Sequence, residues 1–194
     1  MIEKNLYIIA GCNGAGKTTA SFTILPEIID CREFVNADEI AKGLSPFQPE
    51  KVAIQAGKIM LGRIDKLMQL QVNFAIETTL TTLSYQQTIA KARAVGYNVT
   101  LVFFWLNDVN LAIERVRLRV KEGGHHIPTE TIKRRYKKGI KNLIEIFISI
   151  CNKWIVIDNS EKKYILVAEN GNKVAHVYDK KISNRIKIIA NEKS

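Results

Sequence analysis

The apolar run Leu6-Tyr7-Ile8-Ile9-Ala10 leads directly into Gly11-Cys12-Asn13-Gly14-Ala15-Gly16-Lys17-Thr18, and this order constrains the fold more than any other feature of the 194 residues. The segment fits GxxxxGK[ST] at the junction of a strand and a helix. Glycines at 11, 14 and 16 allow backbone N–H groups to turn inward as an anion nest, and the start of the helix adds partial positive charge. A lysine ending such a loop reaches the terminal phosphates of a bound nucleotide, and the hydroxyl beside it suits Mg²⁺. The expected ligand is therefore a nucleoside triphosphate with Mg²⁺, held by the run from Gly11 to Thr19, with Thr18 on the metal. In a turn that merely connected strand to helix, Lys17 would have no reason to stand there.

The same alternation continues along the chain. Residues 33–36 and 73–77 read as short strands, Tyr97–Leu106 as a longer apolar one, and Trp154–Asp158 as the fifth. Between them lie helical runs. One spans about Glu50 to Gln71; a second is capped by Ser84 and ended by Gly96; a third starts at Asp108 with Val109, Ile113, Val116 and Val120 on one stripe; a fourth starts near Pro128 with Ile132, Tyr136, Ile140, Leu143 and Phe147 buried. Five strands separated by helices predict an α/β fold of three layers around a five-stranded parallel sheet, because parallel neighbours need crossover helices. Past Asn159 the pattern changes. YILVAE, Asn170-Gly171 and KVAHVY predict an antiparallel hairpin on a two-residue turn, followed by a basic tail from Lys180 to Ser194. The length suits one domain: a core at 1–160, with a lid around 115–136 and Gly123-Gly124 as its hinge, and the hairpin and tail at 161–194.

Composition narrows the setting. No apolar run approaches the ~18 residues that a membrane span requires, so no membrane partner is expected. The cysteines Cys12, Cys31 and Cys151 are odd in number and scattered, and the start of the chain does not read as an export signal, which points to the cytoplasm. Adjacent His125 and His126 offer no metal-ligand spacing. The net charge is +10, from 29 basic and 19 acidic residues. Residues 98–194 hold most of that excess, much of it between Arg115 and Lys141, so a polyanionic partner is expected there, and nucleic acid is among the candidates.

Asp38 follows the second strand and Glu77 ends the third, which puts both at the carboxyl edge of the sheet, where open α/β folds bind ligands. Asp38 either accepts a proton from an attacking hydroxyl or caps a helix beginning near Glu39. Glu77 is a candidate for binding acceptor hydroxyls or for assisting the metal, Thr78 and Thr79 for binding the acceptor, and Asp158 and Asn159 for bordering the base of the nucleotide. Arg119, Arg134 and Arg135 bracket the GGHHIP break and suit the negative charge that spreads over a phosphoryl group in transfer.

Taken together, AGCNGAGKTT at 10–19, VNADEIA at 35–41, IETTL at 76–80, RVRLRVKEGGHHIPTETIKRRY at 115–136 and IDNS at 157–160 resemble the zeta-toxin family of P-loop kinases over about residues 5 to 160. That resemblance implies transfer of the γ-phosphoryl group of ATP or GTP to a hydroxyl of UDP-N-acetylglucosamine, with Mg²⁺ as cofactor and an antitoxin protein as partner. It also implies roles. Lys17 grips the donor phosphates and Thr18 the metal, Asp38 activates the acceptor hydroxyl, Glu77 contacts the sugar, and Arg119, Arg134 and Arg135 act from the lid. Two other functions suit the same residues: a kinase for 5′-hydroxyl ends of polynucleotides, and a nucleotide-binding module without catalysis that docks an acidic protein.

Overall fold

The computed structural model describes residues 3–27, 29–171 and 174–192. Five parallel strands form the expected centre: β1 (Lys4–Gly11), β2 (Phe34–Val35), β3 (Phe74–Thr78), β4 (Tyr97–Trp105) and β5 (Lys153–Asp158), in the spatial order β2-β3-β1-β4-β5. In β1, consecutive residues from Ile8 to Gly11 are buried, which requires cover on both faces of the sheet. The helices provide it: α1 (Lys17–Glu27), α2 (Ala37–Leu44), α3 (Ala53–Leu70), α4 (Tyr85–Ala94), α5 (Val109–Lys121) and α6 (Thr129–Asn142). A π-helical turn, Leu143–Phe147, carries α6 into the short α7 (Ile148–Ile150).

Local chemistry sets most of these boundaries. Asp108 caps α5 by accepting from Asn110 N–H at 2.8 Å. Gly96 takes φ +88° immediately before β4, the left-handed conformation expected of it. Ser84 precedes α4 but makes no capping bond, and its hydroxyl pairs with that of Thr82 at 3.1 Å. The run from Glu50 begins as a 3₁₀ turn at Pro49–Val52 before α3 proper, and it closes on Gln71 at φ +55°. All five apolar positions expected along α6 and its continuation are buried, Leu143 and Phe147 completely.

The C-terminal third departs from expectation in three respects. The hairpin, β6 (Ile165–Gly171) and β7 (Val174–Val177), is no separate appendage: β6 pairs antiparallel with β5, making one mixed sheet of seven strands. Its turn is also displaced. Asn170 and Gly171 pair with Ala175 and Val174 inside the ladder, and the connecting residues 172–173 lie outside the described residues. Asn170 spends its side chain on β5, accepting from Trp154 N–H at 2.6 Å. The segment read as a basic tail is α8 (Lys180–Asn191), capped by Asp179 and laid against α6 and β6 through buried Ser183, Ile186 and Ala190. Its lysines had masked that apolar stripe. Among the described residues, no helix is long and apolar enough to cross a membrane.

Candidate active site

The loop between β1 and α1 forms the floor of the site. Gly14 and Gly16 take φ +78° and +80°, and a Cβ on Gly14 would lie 2.7 Å from the carbonyl oxygen of Ala112. Gly14→Ala would combine left-handed strain with a clash against rigid backbone. It is expected to cost about 1–3 kcal/mol, read as a lower midpoint of thermal unfolding. Asn159 braces the loop from the end of β5, its Nδ2 donating to the Ala15 carbonyl at 2.9 Å. The thiol of Cys12 is pushed up to about 11 by burial, with Lys17 and the backbone pulling the other way, so it stays protonated.

Lys17 is nearly buried. Its ammonium donates to the Cys12 carbonyl at 3.0 Å and stands 3.4 Å from Glu77 Oε1, where both side chains are less than a tenth exposed. Glu77 Oε2 accepts from Thr18 Oγ1 at 2.8 Å and from Asn36 Nδ2 at 3.0 Å. The parallel register produces this meeting, because Ile9 of β1 lies beside Glu77 of β3 and the loop begins two residues later. Glu77 therefore stands on the floor, against the two residues that the motif assigns to phosphate and metal.

Asn36 caps α2, which begins at Ala37, accepting from Asp38 N–H at 2.8 Å and Glu39 N–H at 3.4 Å. Of the two sequence alternatives for Asp38, the capping role thus belongs to Asn36. The Asp38 carboxylate is exposed, and it has no hydrogen-bond or ion-pair partner among the described residues.

A cavity of about 800 Å³ lies over the loop, walled by Lys17, Thr18, Phe22, Asp38, Glu77, Leu118 and Arg119. Two smaller cavities adjoin it at Asp38. One, of about 230 Å³, is bordered by Lys42, Arg119, Glu122 and His125. The other, of about 190 Å³, is bordered by Arg135, His126 and Thr131. Asp38 lines all three.

The arginines divide. Arg119 borders the cleft with Nε and Nη2 buried and without a partner among the described residues, so its guanidinium has donors to spare. Arg135 reaches the loop, Nη1 donating to Asn13 Oδ1 at 3.0 Å. Burial pushes its guanidinium down from the usual value, the Asp38 carboxylate pulls it up, and Arg134 pushes it down again. Arg134 itself is exposed and lines none of these cavities. Arg115 holds backbone, donating to the carbonyls of Asn159 and Ser160 at 2.8 and 2.9 Å.

Three candidates stand apart from the cleft. Asp158 is buried, and its Oδ1 accepts both the N–H and the hydroxyl of Ser160. The Thr78 hydroxyl accepts from Leu80 N–H at 3.0 Å, and that of Thr79 pairs with Thr81 at 2.9 Å. The chain leaves β3 toward α6, where a Cβ on Gly139 would lie 2.6 Å from the Thr79 carbonyl oxygen and Asn142 Nδ2 donates to the Leu80 carbonyl at 2.5 Å. Asn36 is a residue that sequence reasoning missed, as is the role of Arg115 in holding backbone. An Asn two residues before an Asp was a legible capping signal, whereas nothing local marks an arginine that binds a strand end 44 residues away.

The zeta toxin family pattern matches residues 2–183. An uncharacterized protein of Haemophilus influenzae (strain ATCC 51907 / DSM 11121 / KW20 / Rd) is 29% identical over 143 residues, which is 70% of this chain and all of that protein. Among solved structures, the fold is similar to a complex of AvrRxo1-ORF1 and AvrRxo1-ORF2 with sulphate ions (TM-score 0.78, 14% identity), where the match covers 99% of this chain and 66% of the other. A structure of AvrRxo1-ORF1 and -ORF2 with ATP matches at a TM-score of 0.76 and 15% identity, with the same coverage. A structure of the PezAT chromosomal toxin-antitoxin system of Streptococcus pneumoniae matches at a TM-score of 0.68 and 18% identity, covering 98% of this chain and 87% of the other. The chain therefore spans about two thirds of the AvrRxo1 chains it resembles. With its P-loop, its parallel sheet and a family match over almost its entire length, the chain belongs to the zeta toxin family.

Proposed function

We propose that this protein moves the γ-phosphoryl group of ATP or GTP to a hydroxyl of a small molecule, with UDP-N-acetylglucosamine as the acceptor favoured by its family. The observation that carries this reading is the Asp38 carboxylate, without a partner among the described residues, which opens onto the same cleft as a buried lysine in an anion cradle.

The chemistry follows from the positions. The loop amides and Lys17 hold the donor phosphates, replacing water by fixed dipoles and a charge in a half-dry site. Asp38 takes the proton of the acceptor hydroxyl as the new O–P bond forms; the bond from the γ-phosphorus to the bridging oxygen breaks, leaving the nucleoside diphosphate, and the proton later passes to solvent. The donors of Arg119, buried without a partner among the described residues, and the guanidinium of Arg135, which reaches the loop at Asn13, suit the equatorial oxygens of the group in transfer. Thr18 Oγ1 and Glu77 Oε2, 2.8 Å apart, are hard oxygen donors of the kind Mg²⁺ takes, and they are the residues that would hold it. When bound, that ion supplies charge neutralisation at the β- and γ-phosphates.

Incubation with γ-labelled ATP, Mg²⁺ and separate acceptors tests this reading. Label is expected on the sugar nucleotide, and none on 5′-hydroxyl oligonucleotides. Nucleotide binding without transfer to any acceptor, together with tight capture of an acidic protein partner, would replace the kinase by a binding module.

A further inference from the structure

We infer that Asn36 is a positioning residue that locks the donor-side carboxylate and the acceptor-side carboxylate into one fixed relation. This rests on the phosphotransferase reading above, and it concerns a residue to which neither the motif nor the family resemblance gives a role. Asn36 is 7% exposed, and the two ends of its amide are used in opposite directions. Oδ1 accepts from the backbone N–H of Asp38 and of Glu39, at 2.8 and 3.4 Å. Nδ2 donates to Glu77 Oε2 at 3.0 Å, the same oxygen that accepts from Thr18 Oγ1. Only this orientation works. Turned over, the amide would aim its NH₂ at two N–H donors and its oxygen at a carboxylate.

The choice of residue follows. A helix N-cap alone is served as well by Ser, Thr or Asp. A cap that must also donate to a carboxylate needs its acceptor and its donor on separate atoms of one side chain; ionised Asp has no donor, and the hydroxyl of Ser or Thr carries both on a single atom closer to the backbone, whereas asparagine carries them on two. The fold makes the demand. β2 is two residues long, and Val35 lies beside Ile76, so Asn36 falls next to Glu77 just as the edge strand ends. Beyond that point α2, which carries Asp38, is linked to the floor of the cleft through this side chain. In-line transfer is sensitive to such a link, since a misplacement of ~1 Å can cost about 100-fold in rate.

The test uses the full chain with two substitutions that keep a capping oxygen and remove the amide donor: Asn36→Ser, whose hydroxyl ends one bond short of the Nδ2 position, and Asn36→Asp, which has no donor. The probe is a fluorescent, nonhydrolysable ATP analogue, titrated with and without Mg²⁺, and turnover is followed as release of phosphate from ATP to water. Wild type is expected to bind the analogue more tightly with Mg²⁺. Both variants are expected to unfold within a few degrees of wild type, to lose at least about threefold of that Mg²⁺-linked tightening, and to turn over about 10–100-fold more slowly. Asn36→Asp, though isosteric, is expected to fare worse than Asn36→Ser, because it sets a second carboxylate against Glu77. Wild-type tightening and turnover in either variant would overturn the inference. So would losses that merely follow the unfolded fraction and vanish on cooling. A wild-type protein that bound no analogue would overturn the phosphotransferase reading itself, an outcome distinct from both.

Discussion

Lys17→Met is expected to abolish phosphoryl transfer, lowering turnover by at least about 100–1000-fold, the loss typical when one preorganised donor is removed from developing negative charge. Methionine preserves the packed stem, so the measurement isolates the ammonium, which stands over the cradle between the Cys12 carbonyl and Glu77. The same change leaves Glu77 without its cation in a site where both side chains are less than a tenth exposed. Breaking a buried pair costs about 3–5 kcal/mol. Thr18 and Asn36 still donate to Glu77, so the lower end of that range is expected in denaturant unfolding. Two readouts therefore move together: turnover measured with labelled ATP, and the unfolding midpoint. Near-normal turnover in Lys17→Met would remove the loop from the mechanism.

Asp38→Asn is expected to separate binding from chemistry. Removing a general base costs about 100–10,000-fold in turnover, while affinity for the ATP analogue stays within about threefold, because the carboxylate contributes to proton transfer and not to the cradle. Stability is expected to change little. Asp38 has no side-chain partner among the described residues, and its favourable place in the first turn of α2 is worth only about 0.3–1 kcal/mol. Titration of the analogue, followed by single-turnover transfer on the same preparation, reads both quantities. An Asp38→Asn protein that still transfers at the wild-type rate would return this residue to the ordinary surface of a helix.

Much of the architecture was legible because it is written in local patterns. The strand, glycine loop and lysine announce themselves within a dozen residues, and the stripe at Ile132, Tyr136, Ile140, Leu143 and Phe147 has helical spacing. Where expectation and structure diverge, a local rule met a distant partner. Asn170-Gly171 is a strong turn signal, yet Asn170 accepts from Trp154 in the neighbouring strand, and both residues pair inside the ladder. The basic composition of 180–194 concealed a helix whose buried side is only Ser183, Ile186 and Ala190. Thr78 and Thr79 follow Glu77 directly, but their hydroxyls pair with Leu80 N–H and with Thr81, and their loop packs on Gly139 and Asn142 of α6.

By itself, the amino-acid sequence determined the class of the fold, the phosphate cradle and the identity of the charged groups around it, because loop conformation, periodicity and residue chemistry are properties of short segments. Only the tertiary structure decided which groups meet. Glu77 holds Lys17 and Thr18 across some sixty residues, Arg135 reaches Asn13 from the far side of the chain, and Asn36 joins the Glu77 carboxylate to the backbone of Asp38. Those meetings follow from strand order and register, which are settled by how helices and strands bury their apolar faces together and not by any one stretch of residues.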